Sequence, residues 1–584
     1  MKRKGQDKGM TFGLSKILSI MSLSIPTIVF GVIINVPEDY AAIQTAVDES
    51  SNGDTVLVAD GEYYENVRFH GREILLGSHY ILDWDLDHVF NTIINGSAST
   101  DPDTGSCVLF VNHENENSIL SGFTLTGGTG TVYGFENGAY PYREGGAILM
   151  DSSSAQVKQN LIISNDAFWY RGADWLGGGG GGLSSMYGNP QIIGNVFMYN
   201  TARYAAAIVL NWSGGVVKNN IIYANSGGAD FGCGGLMLWN SPDNTAFVVN
   251  NTIIRNESSQ DAGGLTVENT SAMIRNNIIW GNQQARGGQI VGATNSIFEY
   301  NGLEWLEPNN LETDPGFSDF FQLSNTSNCI DAGHPGEEYY EPNLLGMVFP
   351  PAWGAMLSDI GAYGGPFVSF LPVPTIEYLL YPVEVNFPDV YVGNLEEFQL
   401  LLRNEGTVNC LIDSIKLNAG SVLYFGSDSI AATIGPLAVD TLSLIWQPTE
   451  TSNLADTLKI YHSWESLDNP VHIPILGLAV ENVAVRENPL IPEQLNLYQN
   501  FPNPFNPSTI IKYDLREHTE VSLIIYDAGG REVNRLVSVS QSSGSYAIRW
   551  DGTNDEGQQL AGGVYFARLQ AGEQSGVVKM VYLR

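Results

Sequence analysis

The segments NLIISN (160–165), NVFMYN (195–200), NIIYAN (220–225), NTIIRN (251–256) and NIIWGN (277–282) write one frame five times: asparagine, four largely apolar residues, asparagine. The steps between first asparagines are 35, 25, 31 and 26 residues, a period at which a whole structural unit repeats. A second marker keeps phase. Gly-Gly opens at Gly145, Gly181, Gly234, Gly263 and Gly287, with Ala206-Ala207 in the remaining slot, and an asparagine follows 14 to 17 residues later. A unit of two short strands and two turns cannot enclose its own apolar residues, so stacked neighbours must bury them together.

The residues inside the frame choose the kind of repeat. Ile148-Leu149-Met150, Ile208-Val209-Leu210 and Ile278-Ile279-Trp280 are branched, long or aromatic apolar runs without helical spacing, and they read as strands. Asparagine at one corner of successive coils suits a bend, because it tolerates left-handed backbone angles and its amide can hydrogen-bond along a column. On these residues the stretch 35–370 resembles the right-handed parallel β-helix repeat family, the pectate-lyase-like superfold. The resemblance implies the fold and leaves the activity open, since that superfold hosts lyases, hydrolases, adhesins and inert stalks. A solenoid also needs closed ends. VPEDYAAIQTAVDESSNGD (36–54) puts Tyr40, Ile43, Ala46 and Val47 on one helical face and stops at Gly53, which predicts a short amphipathic helix over the first coil. NCIDAGHP (328–335) and SDIGAYGGP (358–366) look like the closing segment of the same family, with Asp331 and Asp359 forming turns. Calcium at those aspartates is the secondary reading, and the cofactor is otherwise left open.

Lys2, Arg3, Lys4, Lys8 and Lys16 precede an uncharged stretch from Ile17 to Pro37, the basic and apolar regions of a signal peptide expected over 1–34. Val29-x-Gly31 is the small-residue candidate for cleavage. No other segment could span a bilayer, so no membrane span is expected in the mature chain. Cys107, Cys233, Cys329 and Cys410 lie far apart without metal spacing and are expected as buried free thiols. The net charge of −36 argues against nucleic acid and anionic membranes, which need a basic footprint. From Arg143 to Arg286, however, eight basic residues face nine acidic ones. The central coils are nearly neutral, which leaves an extracellular polysaccharide as a fitting partner.

After Pro366 the frame vanishes, and FLPVPTIEYLLYP (370–382) marks a boundary. VEVNFPDVYVG, EFQLLLRNEG, DTLSLIWQP, DTLKIYHS and VHIPILGLAV then give five strand candidates, expected as an immunoglobulin-like β-sandwich over 383–480. In the tail, NLYQNFPNPFNPSTIIKYDL (496–515), VSLIIYDAGGREV (521–533), WDGTNDEGQQLAGGVYFARL (550–569) and KMVYLR (579–584) resemble the C-terminal sorting domain of type IX secretion cargo. That resemblance implies a second small sandwich over 495–584, the type IX secretion machinery as partner, and a secreted chain, extracellular or attached to the outer-membrane surface. A related sandwich serves flagellar hook capping, against which the signal peptide and β-helix speak. Residues 526–530 and 551–557 read as turns; Thr553 and Glu556 break a calcium-loop pattern at Asp551 and Asp555. The expected fold class is therefore all-β: a right-handed parallel β-helix followed by two small immunoglobulin-like sandwiches.

Chemistry is harder to place. The chain has no G-x-S-x-G elbow, no G-K-[ST] phosphate loop and no H-E-x-x-H, its eight histidines are scattered, and the glycines at 177–182 read as a flexible turn. No metal ligand set is assigned. Trp169, Tyr170, Trp175, Tyr204, Trp212, Trp239 and Trp280 concentrate in the central coils. Aromatic faces pack on sugar rings, and Trp169, Trp175, Tyr204, Trp212 and Trp239 are the substrate-binding candidates. Trp212 and Trp239 lie six and five residues after the starts of adjacent coils' small-residue pairs, Ala206 and Gly234, and should project near one another from the same side. Arg203, Asp230 and Asp261 lie just before small-residue pairs, where a carboxylate beside an arginine could perform acid/base chemistry. Lys158, Lys218 and Arg275, two residues before first asparagines, are expected as an outward solvated row. The functional expectation is a surface-displayed β-helix that binds carbohydrate or serves as an adhesin, with a polysaccharide lyase or glycoside hydrolase as the alternative.

Overall fold

The computed structural model describes residues 31–133, 142–171, 174–176, 178–227, 232–284, 290–292, 296–303, 307, 309–344, 347–367, 369–426, 432–481, 495–505, 508–555 and 558–582. Most of the expected signal peptide lies outside them.

Three parallel sheets run along the repeat region. Sheet A has ten strands from Ile33–Val36 to Ile297–Glu299, sheet B ten from Gly61–Tyr63 to Leu311–Glu312, and sheet C eight from Val67–Arg68 to Ile290–Val291. One coil shows the plan: Ile208–Asn211 lies in C, Gly215–Lys218 in A and Ile221–Tyr223 in B, each paired in register with the coils before and after. The coil thus holds three main strands where the sequence suggested two. Only Asn219 and Asn220 separate the A strand from the B strand, and a corner that short carries no glycine or proline cluster to announce it. Inside, alternate residues such as Ile208, Leu210, Val217 and Ile222 join one continuous core.

Both asparagines of each frame form ladders. Asn160, Asn195, Asn220, Asn251 and Asn277 are fully buried, and each Nδ2 donates to the next Oδ1 at 3.0, 3.1, 3.0 and 2.9 Å. Asn301 and Asn310 continue the column at 3.0 and 2.8 Å. A second column joins Asn165, Asn200, Asn225, Asn256 and Asn282. The left-handed residue at each corner is not the ladder asparagine, as the sequence suggested, but its predecessor: Gln159, Ser164, Tyr199, Asn219, Ala224, Asn250, Arg255 and Asn276 all have φ between 53° and 57°. The predecessor turns the chain while the ladder asparagine satisfies the buried polar groups.

Where the predecessor is also asparagine, its side chain points outward and holds a strap. Asn219 Nδ2 donates to the carbonyls of Ala362 and Gly364 at 2.9 and 2.7 Å. Asn250 Nδ2 reaches Asp359 O at 2.9 Å, and Asn276 Oδ1 accepts from His334 N at 2.8 Å. The phrases NCIDAGHP and SDIGAYGGP therefore run along this corner. Asp359 accepts from the amides of Asp331 and Trp353 at 2.9 Å each, and Asp331 accepts from Ala355 N; Asp331 sits at a turn, whereas the Asp359 carboxylate ties the two phrases together instead of forming a turn of its own. The row Lys158, Lys218 and Arg275 is half-buried rather than solvated. Lys218 lies 4.3 Å from the Phe367 ring centre, and burial lowers its pKa to about 8; Arg275 pairs with Glu299 and donates to Tyr339 Oη at 3.1 Å. The segments that follow the repeats cover what would otherwise be an open row.

At the other end the helix Ile43–Glu49 buries Ile43, Ala46 and Val47, and Tyr40 packs beside them. Its first amides are capped by Glu65, whose two carboxylate oxygens accept from Ile43 N and Gln44 N at 2.8 Å each. The Gly-Gly marker records close backbone approach: a Cβ on Gly181 would sit 2.3 Å from Thr201 O, and one on Gly234 would sit 2.3 Å from Glu257 O. Gly178–Gly179 is not a free turn but a strand beside Tyr142–Glu144. All four cysteines are buried free thiols.

The five strand candidates after 383 are strands, Val385–Tyr391, Glu396–Asn404, Val439–Trp446, Ser452–His462 and Val471–Val480, in facing sheets of four and five. Leu379–Leu380, Cys410–Lys416, Leu423–Phe425 and Thr433–Ile434 complete them, around a fully buried Trp446. The tail folds separately as antiparallel sheets of three and four strands over Phe505, Tyr513, Leu523 and Trp550. Its turn at Asp527 is a hairpin, with Gly530 N donating to Asp527 O at 3.0 Å. Asp551 accepts from Thr553 Oγ1 within the turn, and Asp555 accepts from Arg535 N, tying the loop to the strand Glu532–Gln541.

Candidate functional site

The outer face of sheet C gathers the unusual side chains of the coils. Alternation along a strand turns Val209 and Met237 outward, where they pack with Tyr204, Ala205, Cys233 and Ala262 from the loops that lead back into sheet C. Beyond that patch five successive C strands are each followed by a left-handed residue: Ser152, Tyr187, Trp212, Asn240 and Asn269 have φ of 52°, 55°, 49°, 51° and 47°. Tyr187 and Trp212 share this column, and Trp239 precedes it by one position in the next coil. Their rings form a stack. Tyr187 lies 5.7 Å from Trp212 at 17°, and Trp212 lies 5.8 Å from Trp239 at 26°. Tyr187 is half-exposed and both tryptophans are partly so. Asp151, Asn211 and Glu268 occupy the same register row as Trp239.

Trp212 and Trp239 thus adjoin as expected, although their register positions differ by one. Tyr187 went unrecognised, although it precedes Trp212 by 25 residues, the same step that separates Asn195 from Asn220. Tyr204 is corrected. It is 4% exposed, and its hydroxyl donates to Glu144 Oε1, so it offers no ring face to a sugar. Trp169 and Trp175 lie on a pair of antiparallel strands, Trp169–Arg171 and Asp174–Leu176; their side chains fall outside the described residues.

The catalytic candidates do not assemble into a described acid/base pair. Asp230 lies outside the described residues. Asp261 is partly buried, and its Oδ2 accepts from Gly232 N at 2.7 Å, bracing one loop on the next coil. Arg203 sits two coils away from Asp261, roughly 10 Å along the axis at ordinary strand separation. The most perturbed carboxyl in this region is Glu144. It is fully buried, accepts from Tyr204 and, at 2.8 Å, from Ser184 Oγ, and desolvation raises its pKa to about 7 against those hydrogen bonds. Its neighbour Arg143 gives its guanidinium to the carbonyls of Thr129, Gly130 and Pro102. A carboxyl enclosed in this way braces a loop, and no substrate atom can reach it in this conformation.

The comparisons bear on the tail. Residues 508–575 match the family model described as FlgD Ig-like domain. The chain carries a C-terminal Ig-like domain. No curated protein matches the chain. Among solved structures it is similar to the ASH/PapD-like domain of human CEP192 (14% identity, 18% of this chain and 85% of that one, TM-score 0.15). It is also similar to latent dimeric PorU from Porphyromonas gingivalis (18%, 36% and 20%, 0.14) and to the secreted serine protease VesC from Vibrio cholerae (10%, 35% and 52%, 0.16). The chain spans a fifth of PorU and about half of VesC, and likenesses at these TM-scores carry no argument. No helix among the described residues is long and apolar enough to cross a membrane.

Proposed function

We propose that the protein is an exported β-helix that binds an extracellular glycan on the rim of sheet C without turning it over. The observation that carries this reading is the stack of Tyr187, Trp212 and Trp239 at one edge of the coils, with the partly exposed Asp151 and Glu268 in the adjoining row. Ring-on-ring stacking covers part of each aromatic face, so contact is through the outward edges of the stack and its end faces, while Asp151 and Glu268 supply hydrogen bonds to hydroxyl groups. Binding is favoured over lyase or hydrolase chemistry because Asp261 is committed to a backbone amide and Glu144 is enclosed. The Ig-like tail is read as a type IX sorting domain on its four quoted phrases, which supports export across the outer membrane and display or release at the surface.

The test is a glycan array probed with the full chain, followed by titration and thermal unfolding of Trp239→Ala. The glycan reading expects affinity to fall by about 1 to 2 kcal/mol with little change in stability. A loss of about 3 to 5 kcal/mol of stability with no glycan hit would make the stack mere packing, and shortened products would restore the enzyme alternative.

A further inference from the structure

At most corners between sheets A and B the chain needs two residues. In the second coil after the first helix it takes thirteen, His79 to Asn91, between Leu75–Ser78 and Thr92–Asn95. This excursion folds into two short helices, Tyr80–Asp83 and Asp87–Asn91. Tyr80 and Val89 are buried against the outer face of sheet B, which holds it firmly. The preceding coil places Asp60 at the same corner, because Thr55–Val58 pairs with Leu75–Ser78 and Gly61–Tyr63 with Thr92–Asn95. A carboxylate oxygen of Asp60 and one ring nitrogen each of His79 and His88 consequently lie within 4.8 Å of one another.

We propose that Asp60, His79 and His88 bind a divalent transition metal of the zinc class, with Asp83 orienting His88. His88 Nδ1 is 2.7 Å from Asp60 Oδ1, and its Nε2 is 3.5 Å from Asp83 Oδ2. Asp83 would hold the Nε2 proton and leave the Nδ1 lone pair toward Asp60 and His79, the arrangement in which a second carboxylate fixes the tautomer of a ligating imidazole. Two imidazoles and one carboxylate select zinc-like ions, whereas calcium and magnesium prefer all-oxygen shells. The local charge also favours a cation. Asp83, Asp85 and Asp87 line the excursion, and no lysine or arginine occurs between Arg72 and Arg143. Three ligands fixed on packed backbone leave further coordination positions to water or to a ligand from outside.

Zinc chloride titrated into the tag-free full chain should bind one equivalent per chain, undisturbed by excess calcium. His79→Ala and Asp60→Asn should each weaken binding at least about tenfold, and Asp83→Asn about tenfold through His88, with the circular dichroism of the parent retained. Undiminished binding in the His79→Ala/Asp60→Asn double variant, displacement by calcium, or no zinc retained on dialysis would overturn the site. Should a variant fail to fold, zinc-edge X-ray absorption of the parent chain decides: two imidazole ligands are expected, and an oxygen-only shell would refute the assignment.

Discussion

Asn220 shows what one side chain does for the solenoid. Its Oδ1 accepts from the backbone and side chain of Asn195 at 2.9 and 3.1 Å, and its Nδ2 donates to Asn251 Oδ1 and Ile192 O at 3.0 and 2.8 Å. All four amide positions are used inside a dry core. Asn220→Leu should therefore destabilise the β-helix by about 1 to 3 kcal/mol, because its neighbours' buried donors lose their partners; an unchanged chemical-unfolding midpoint would show the ladder to be dispensable. Glu144 gives a pH-dependent counterpart. The folded protein holds its proton up to about pH 7, against an ordinary value of 4.5. In that interval the folded state binds more protons than the unfolded one, so stability is greatest at the acid end and falls as pH rises toward 7. Glu144→Gln should remove that share of the slope, measured by urea unfolding at pH 5 and pH 8. Glu341 and Asp359, raised to about 8 and 7 by burial, have the same sign and leave a residual slope.

At the scale of elements, the corner between sheets A and B joins two tasks in adjacent asparagines. The first takes the left-handed turn and holds the strap; the second joins the ladder. Substitutions separate the tasks. Asn219→Gly keeps the φ of 53° accessible and removes only the hydrogen bonds to Ala362 and Gly364, so about 1 kcal/mol should be lost. Asn219→Ala should lose about 1 to 2 kcal/mol more, the cost of a left-handed backbone with a Cβ. Faster hydrogen exchange across 358–366 in both variants would confirm the tether; equal stabilities of the two would contradict the turn assignment. The doubling is visible in the sequence as Asn219-Asn220, Asn250-Asn251 and Asn276-Asn277. Its meaning is not, because what the first asparagine holds lies 58 to 145 residues further on.

The whole molecule divides into two compact units, and the tail belongs to the second. Each β-helix coil is stabilised by its neighbours, so deleting Phe501–Arg584 should leave the β-helix unfolding transition unchanged. On the sorting reading the truncated chain should accumulate in the periplasm, seen by fractionation; normal surface display would defeat that reading. The sequence by itself determined the all-β class, the solenoid period, the first ladder, the capping helix, the five main strands of the first sandwich and the hairpin turn at Asp527. Each rests on local periodicity or on a turn residue, which are properties of neighbours in the chain. Tertiary structure alone decided that Tyr204 is buried on Glu144, that Lys218 is covered, that Tyr187 completes an aromatic stack and that Asp60 meets His79 and His88. Those contacts join residues whose separation along the chain is unrelated to their separation across a coil, because parallel stacking brings together positions a full turn of the solenoid apart.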